Sequence, residues 1–346
     1  MVGRPGASGA RCSGTRNTRR KAAPKIYNHP PVTVTVRSFA KINLGLRIGA
    51  PREDGFHELL TVYQTIGLHD VIRVGVGLGK GIEVRCEDPR VPRDGSNTCY
   101  RIVERAMAAL RTKRRVIIEI DKCLPVQGGL GGASSNAVAA LLGLERVLGK
   151  SLPAEERLRI AAEVGSDLPL FLVGGTVLGV GRGELVYGLA DLPGMACVVV
   201  TPEVGVSTAE AFAEWDRQLT VSMPSDRMSG LGRGLSVWLS ASYSGAPRGE
   251  RGRAENPLLE LVRAGIKNDF EQVVLPVYPE LSEGKTALER AGAKYASLSG
   301  SGSSLYGLFA SKEEASRAVS ALRKQGLAAQ VTATLTRREY WKRIIG

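Results

Sequence analysis

Residues 124–137, LPVQGGLGGASSNA, concentrate glycine and serine between a predicted strand and a predicted helix. Glycine has no Cβ, so the backbone N–H groups of such a loop can approach an anion closely. The helix that follows contributes unpaired amides and the positive end of its dipole. Ser134 and Ser135 add hydroxyl groups that can bind a phosphate oxygen or a metal ion. The stretch is typical of a phosphate-binding loop.

Two well-known nucleotide-binding loops differ from this stretch. A P-loop ends in Gly-Lys-Ser/Thr, and no lysine follows Gly132. A dinucleotide-binding fingerprint stands at the first βα turn of its domain, whereas a long structured stretch precedes this loop. A glycine-rich loop alone is also compatible with a flexible surface turn, so other segments must decide.

The composition is that of an ordinary globular protein, with 43% hydrophobic and 23% charged residues. A chain of 346 residues exceeds the size at which one core usually stops growing, which predicts two domains. No apolar run approaches the ~20 residues that span a bilayer. The five cysteines are scattered without CxxC spacing, which argues against a disulfide framework or a structural zinc. We expect a cytoplasmic protein with no membrane partner.

The net charge of +13 is unevenly distributed. Residues 1–31 contain seven Arg or Lys and no acid, so 13 − 7 leaves +6 for the rest. This arm has almost no large apolar residue and is predicted to be disordered. A solvated tail or extended start, an organelle-targeting segment and a nucleic-acid-binding arm are the three interpretations. We expect the first, and no nucleic-acid partner.

Hydrophobic periodicity predicts a mixture of strands and helices. Strands are predicted at 32–36, 41–48, 71–76, 82–85 and 116–120, and helices at 98–111, 136–148 and 154–164. After residue 185 the pattern restarts, with a strand at 197–201 and helices at 208–215 and 312–325. Residues 219–253 are rich in Ser, Gly and Arg without periodicity, which predicts a long surface insertion.

Three further segments accompany the glycine-rich loop: SFAKINLGLRIGAPREDGFHEL at 38–59, VGSDLPLFLVGGTVLGVGRGE at 164–184 and LSGSGSSLYGLF at 298–309. In order and rough spacing the four resemble the motifs of the GHMP kinase superfamily, over nearly everything from about residue 33 onward. Within it, AKINL at 40–44, DGFH at 54–57, GSDLP at 165–169 and NDFE at 268–271 resemble one branch. That branch acts on 4-diphosphocytidyl-2-C-methyl-D-erythritol, in the non-mevalonate route to isoprenoids.

The resemblance implies an α+β, two-domain GHMP kinase fold, with the active site in the interdomain cleft. The N-terminal domain is expected to be ribosomal protein S5 domain 2-like and the C-terminal domain ferredoxin-like. We expect a basic arm at 1–30, an ATP-binding domain at 31–186 and a second domain at 187–346 that carries the insertion near 219–253.

Asp167 and Lys41 are the candidate catalytic pair. Phosphoryl transfer to an alcohol needs a carboxylate that accepts the hydroxyl proton and a cation that stabilises developing charge. From the sequence alone, the alternatives are that Asp167 is only a helix cap and that Lys41 is only a lysine at a strand end. The resemblance places Asp167 at the catalytic base and Lys41 at the lysine that orients base and hydroxyl.

The resemblance also implies a substrate pocket. In it His57 hydrogen-bonds the cytosine, Phe56 and Phe212 stack on the base, Thr208 meets the diphosphate and Asn43 the methylerythritol. Phe56 stands where the family more often has tyrosine, so stacking is kept and a phenolic hydrogen bond is lost. The alternatives are a solvated loop histidine for His57, helix core for Phe212 and a turn former for Asn43.

For the nucleotide, the resemblance implies an adenine pocket, a triphosphate cradle and a closing turn from the second domain. The residues are Asn97, Lys122 and Pro125, then Gly129, Gly131, Gly132, Ala133, Ser134 and Ser135, and finally Gly300, Ser301 and Gly302. The phosphates carry more charge than a lysine neutralises, so Mg²⁺ is expected to accompany the ATP. Its predicted protein ligand is Ser135 or the neighbouring Ser134.

The predicted function is therefore ATP-dependent phosphorylation of the 2-hydroxyl of 4-diphosphocytidyl-2-C-methyl-D-erythritol. The nearest alternative is a GHMP-type kinase that acts on homoserine or mevalonate, which would lack the DGFH turn and the Asn268-Asp269 pair. An alternative of another class is a basic RNA-binding module, in which the arm and the basic cluster at 111–115 contact phosphates.

Overall fold

Two long antiparallel strands form the centre of the fold. The computed structural model describes residues 32–219 and 266–345, together with residues 232 and 236. Strand β1 is Val32–Pro51 and β2 is His57–Gly77, paired from Val32 opposite Val76 to Pro51 opposite His57. The two strands predicted at 32–36 and 41–48 are therefore one, because bulges after Phe39 and Asn43 shift the register without ending the pairing.

Within the described residues, β1 and β2 belong to a six-stranded sheet. The order is β3-β4-β2-β5-β6, with β1 also paired to β2. The added strands are β3 Gly81–Cys86, β4 Arg115–Asp121, β5 Thr176–Gly181 and β6 Leu185–Gly188. β3 and β4 are parallel and the other pairs antiparallel. The pattern predicted β3 and β4 closely, but did not predict β5, β6 or the first half of β2.

The helices of this region bury a large apolar core with the sheet. They are α1 Thr98–Ala109, α2 Gly132–Leu148, α3 Ala154–Val164 and the short α4 Leu168–Phe171. α2 begins four residues before the predicted start at 136. Gly131, with a left-handed φ of 68°, directs the chain into the helix. The small residues 132–135 carry no apolar periodicity, so the pattern could not detect this first turn.

A four-stranded antiparallel sheet, in the order β10-β7-β9-β8, forms the second part of the described chain. Its strands are β7 Ala196–Val200, β8 Tyr295–Leu298, β9 Leu305–Phe309 and β10 Ala329–Ala333. The helices here are α5 Thr208–Leu219, α6 Glu271–Val274, α7 Pro279–Arg290 and α8 Lys312–Lys324. They share a second apolar core that includes Trp215 and Phe270.

The two sheets are joined by apolar contacts. Ile42 and Leu44 of β1 share a buried cluster with Val199 of β7 and Tyr306 of β9. The last helix, α9 Arg337–Arg343, returns to the first core, where its Tyr340 is fully buried. The middle of β1 is thus held from both sides, which fixes the backbone that carries the first sequence motif. The division of the chain at residue 186 remains a prediction.

Two expected segments fall largely outside the described residues: the basic arm at 1–30 and the insertion near 219–253, apart from Leu219 at the end of α5 and residues 232 and 236. No helix in the described part of the chain combines the length and apolarity needed to cross a membrane. In the same residues Cys86, Cys99, Cys123 and Cys197 are free thiols.

Candidate active site

Lys41 is buried in the bulged part of β1, and its ammonium is held in place. Nζ donates to Asn43 Oδ1 at 2.7 Å and lies 3.4 Å from Asp167 Oδ2. Asn43 is fixed in turn, because its Nδ2 donates to Thr61 Oγ1 at 2.8 Å and Thr61 donates to the Gly45 carbonyl at 2.9 Å. The cation is therefore aimed by a chain of hydrogen bonds that begins on β2.

Asp167 precedes α4, and the sequence left open whether it caps that helix. Asp167 occupies the N-cap position of α4, but its side chain makes no capping hydrogen bond. The carboxylate is directed to Lys41 and accepts a hydrogen bond of 3.1 Å from the Tyr63 hydroxyl. One third of the side chain stays exposed. A carboxylate beside a fixed ammonium and open to an incoming group has the geometry of a general base.

Tyr63 was missed by sequence reasoning, because residues 57–70 were not recognised as a strand. It is 2% exposed on β2, and the Lys41 ammonium lies 5.6 Å from its ring centroid. Burial, and after it the nearby Asp167 carboxylate, raises the pKa of Tyr63 well above its usual value. The hydroxyl thus remains a neutral donor to Asp167.

The glycine-rich loop is tied to both halves of the structure. The Leu130 carbonyl accepts from the Lys41 N–H at 3.0 Å, and the Gly129 carbonyl accepts from Ser299 Oγ at 2.9 Å. Gly129 has a φ of +72°, and a Cβ there would collide with the Ser299 carbonyl oxygen. Two chain segments approach here closely enough to require glycine. The loop is fixed beside Lys41 and is not a free surface turn.

The predicted adenine pocket corresponds to a mostly apolar cavity of about 210 Å³. Its lining includes Asn97, Lys122, Pro125 and Ala133. The Asn97 side chain accepts from the Cys99 N–H and donates to the Pro92 carbonyl, so its polar atoms are used within the protein. Asn97 shapes this cavity as the cap of α1, and the apolar walls suit the face of a purine.

Lys122 is anchored by Asp70, a second residue that sequence reasoning missed. Nζ donates to Asp70 Oδ2 at 2.7 Å, and the carboxylate also accepts from Asn136 and from the N–H groups of Cys123 and Leu124. Asp70 is fully buried. An acid on β2 thereby joins the start of the loop to α2. No local sequence signal distinguished it from an exposed strand residue.

The two serines at the start of α2 differ in exposure. Ser134 is partly exposed, whereas Ser135 is 2% exposed and its hydroxyl is hydrogen-bonded to Ser38 Oγ at 2.8 Å. Gly131 and Gly132 before them leave the first turn of α2 accessible. No cluster of three His, Cys, Asp or Glu suited to a metal occurs in the described ranges.

The second glycine turn closes on the same space. A Cβ on Gly300 would lie 3.4 Å from both Lys41 Nζ and Asn43 Oδ1. Ser301 Oγ is 2.8 Å from Thr208 Oγ1 at the start of α5. Gly302 and Thr208 also line an open cavity of about 480 Å³ with Gly129 of the first loop. The predicted residues 300–302 and Thr208 are thus brought together with the glycine-rich loop.

The predicted cytosine pocket has a different arrangement from the expected sandwich. The His57 ring lies parallel to Phe212, with centroids 5.0 Å apart, and Phe212 contacts Phe270 edge-on. His57 Nε2 is 2.7 Å from Asp216 Oδ1. Phe56 is half-exposed. Phe212 is therefore neither plain core nor an open stacking platform in this structure, because the imidazole covers it.

Arg182 is a further residue that sequence reasoning missed. Its guanidinium lies 4.9 Å from the centroid of the Phe56 ring, in the turn between β5 and β6. Its only signal in the sequence was its place within the segment 164–184. The guanidinium also lies 3.5 Å from Glu184 Oε1, so it is shared between that carboxylate and the exposed aromatic ring.

The pair Asn268 and Asp269 acts by positioning other groups. Asn268 Nδ2 donates to the carbonyls of Leu298 and Gly300 at 2.9 and 2.7 Å. Asp269 accepts from Arg47 Nη1 at 2.7 Å and from the Ile48 N–H at 3.0 Å. These bonds hold the second glycine turn and β1 against each other.

The fold and this site define a GHMP kinase. Residues 97–175 match the GHMP kinases N terminal domain and residues 254–328 the GHMP kinases C terminal family. A homoserine kinase from Cytophaga hutchinsonii has the same fold, with a TM-score of 0.68 at 20% identity, over 90% of this chain and 96% of that one.

The sequence relatives are more specific. The 4-diphosphocytidyl-2-C-methyl-D-erythritol kinase of Solibacter usitatus is 36% identical, over 83% of this chain and 84% of that protein. The enzyme of the same name from Desulfitobacterium hafniense is 35% identical, over 88% of this chain and 97% of that protein. A crystal structure of 4-(cytidine 5'-diphospho)-2C-methyl-D-erythritol kinase gives a TM-score of 0.67 at 28% identity, over 87% of this chain and 98% of that one. The chain belongs to the 4-diphosphocytidyl-2-C-methyl-D-erythritol kinase family.

Proposed function

We propose that this chain transfers the γ-phosphoryl group of ATP to the 2-hydroxyl of 4-diphosphocytidyl-2-C-methyl-D-erythritol, in the non-mevalonate route to isoprenoid precursors. The observation that carries the proposal is the Lys41–Asp167 pair, 3.4 Å apart beside the glycine-rich loop. The family supplies the acceptor, since relatives with this name align over most of both chains.

Asp167 accepts the proton of the substrate 2-hydroxyl as the oxygen of that hydroxyl attacks the γ-phosphorus. Each carboxylate oxygen already accepts one contact, Oδ2 from Lys41 and Oδ1 from Tyr63, and retains a lone pair for the substrate. The Lys41 ammonium stabilises the charge that develops on the attacking oxygen and the phosphoryl group. Asn43, fixed on Lys41 and Thr61, lies where the methylerythritol end must approach.

The nucleotide extends from the apolar cavity to the glycine-rich loop. Its adenine occupies the cavity between Lys122 and Pro125, and its phosphates lie at the N-terminus of α2, where unpaired N–H groups and the helix dipole favour negative charge. Ser301 and Gly302 close over the phosphates from the other side. The phosphorylated products of the reaction are the 2-phosphate of the substrate and ADP.

Magnesium is proposed to enter with the ATP. When bound, it neutralises charge on the phosphate oxygens. The Ser134 and Ser135 hydroxyls on α2 would supply a protein oxygen to an Mg²⁺ ion that is otherwise held by phosphates and waters. Because Ser135 is hydrogen-bonded to Ser38, its oxygen is already oriented in the site.

The cytidine diphosphate is proposed to bind on the rim that Phe56, His57, Thr208 and Phe212 form. Phe56 offers an exposed ring face, and the nearby Arg182 offers a cation for the diphosphate. Stacking of cytosine on the Phe212 face that His57 covers requires that His57 first leave that ring. The reduced thiols in the described residues are compatible with a cytoplasmic enzyme, which is part of the proposal.

The test is an ADP-release assay on the full chain with ATP, Mg²⁺ and one of three acceptors: the cytidine diphosphate substrate, homoserine or mevalonate. We expect kcat/KM for the first to exceed the others by at least about a hundredfold. The Asp167→Asn variant is the control for turnover by this site. Comparable or better kcat/KM with homoserine or mevalonate would reassign the acceptor. RNA binding with steep salt dependence and no ADP release would support the RNA-binding alternative.

A further inference from the structure

Within the described residues, the Asp167 carboxylate has two polar contacts: the Lys41 ammonium and the Tyr63 hydroxyl. The hydroxyl donates to Oδ1 at 3.1 Å, while Lys41 Nζ lies 3.4 Å from Oδ2. Each oxygen therefore has its own contact, a hydrogen bond from β2 and an ion pair with β1. Two contacts on different oxygens restrict the rotation of the carboxylate plane as well as its position.

Tyr63 has the properties of a permanent donor. It is 2% exposed, and burial and the Asp167 charge keep its pKa well above the usual value, with Glu184 adding to the effect. The hydroxyl remains protonated throughout the range in which enzymes work. The hydroxyl is therefore always available as a donor to the Asp167 carboxylate.

The space around the Tyr63 ring is fitted closely to it. A Cβ on Gly183 would lie 2.5 Å from the Tyr63 hydroxyl oxygen, and one on Gly179 would lie 2.5 Å from ring atom Cε2. Both glycines belong to β5 and the turn that follows it. Because the backbone at these glycines packs directly against the ring, the Tyr63 hydroxyl is held in one position beside Asp167.

We propose that Tyr63 is a positioning residue for phosphoryl transfer, which holds the Asp167 carboxylate in the orientation that receives the substrate proton. The role rests on the proposed function, since it presumes that Asp167 is the base. Proton abstraction needs the acceptor oxygen within about 2.6–3.2 Å of the hydroxyl. A carboxylate held only by Lys41 can rotate, and misplacement by about 1 Å can cost about a hundredfold in rate.

The test compares Tyr63→Phe with the wild-type full chain under single-turnover and steady-state conditions. The variant keeps the ring beneath Lys41 and removes only the hydroxyl. We expect kcat to fall about tenfold to a hundredfold, with the KM values for ATP and acceptor within twofold. Tyr340→Phe is the matched control, because its buried hydroxyl donates to the Phe171 carbonyl at 2.7 Å. It should lose similar thermal stability and keep its kcat.

A double-mutant cycle separates positioning from general damage. In the Asp167→Asn background the base is absent, so Tyr63→Phe should cause less than a twofold further loss of the single-turnover rate. An equal fold loss in both backgrounds, or a kcat within twofold of wild type for Tyr63→Phe alone, would overturn the role of Tyr63. If the wild type fails to phosphorylate the cytidine diphosphate substrate, the proposed function fails instead. The same variants are then compared on the acceptor that the assay identifies.

Discussion

The His57 imidazole is stacked on the Phe212 ring, with the two planes 9° from parallel. His57 comes from the start of β2 and Phe212 from α5, so the stack links the first sheet to the second part of the fold. The Asp216 carboxylate, on the same helix as Phe212, holds the imidazole from its Nε2 side. Access of a base to this face of Phe212 therefore requires that the contact open.

Phe212→Ala is expected to weaken binding of the cytidine diphosphate substrate by about 1–3 kcal/mol, the usual contribution of one base–aromatic stack. ATP affinity should not change, because Phe212 does not line the proposed adenine cavity. Isothermal titration of each ligand measures both. Phe212→Leu keeps apolar volume without an aromatic face, so it should show most of the same loss. Unchanged substrate affinity in the leucine variant would assign Phe212 to packing alone.

Asp167→Asn is expected to lower kcat about 10²–10⁴-fold, since asparagine keeps the shape but cannot accept the proton. Lys41→Met should cause a comparable loss, and the double variant should lose much less than the sum. Single-turnover rates measure all three. Lys150→Met, which removes an exposed lysine after α2, is the control and should retain full turnover. Retention of more than about one third of wild-type turnover by Asp167→Asn would exclude it as the base.

Gly129→Ala is expected to abolish measurable ATP binding, because its Cβ meets the Ser299 backbone carbonyl and the two glycine turns must separate. Gly149→Ala is the matched control. Gly149 also has a positive φ, of +60°, but nothing lies within 4 Å of the added Cβ. It should lose about 1 kcal/mol of stability from backbone strain and bind ATP normally. Equal ATP affinities for the two variants would contradict the assigned role of this close approach.

Asp70→Asn is expected to destabilise the protein by about 3 kcal/mol, since it leaves the Lys122 ammonium buried without its counter-charge. ATP affinity should fall as well, because Lys122 lines the proposed adenine cavity. Asp121→Asn removes an exposed pair with Arg73 at 3.7 Å and should cost at most about 1 kcal/mol. Denaturant titration compares the two, and similar losses would show that Asp70 is not a structural anchor.

Much of the fold was predictable where apolar patterns were regular. The helix predicted at 154–164 has the observed bounds of α3, and β3 and β4 differ from prediction by one residue at each end. β8 and β9 were not predicted, because short strands with few or no exposed residues carry no alternation. The first half of β2 was not predicted for a similar reason, since many consecutive residues there are buried.

The sequence by itself determined the family and the candidates Lys41 and Asp167, because motif order, spacing and residue type are properties of the chain. Only the tertiary structure decided which groups act on them. Tyr63 reaches Asp167, and Asp70 reaches Lys122, across gaps that are long in sequence and short in space. These contacts depend on the register of β2, on the packing of α2 against it and on the packing of α4 against α2, which no local pattern of residues encodes.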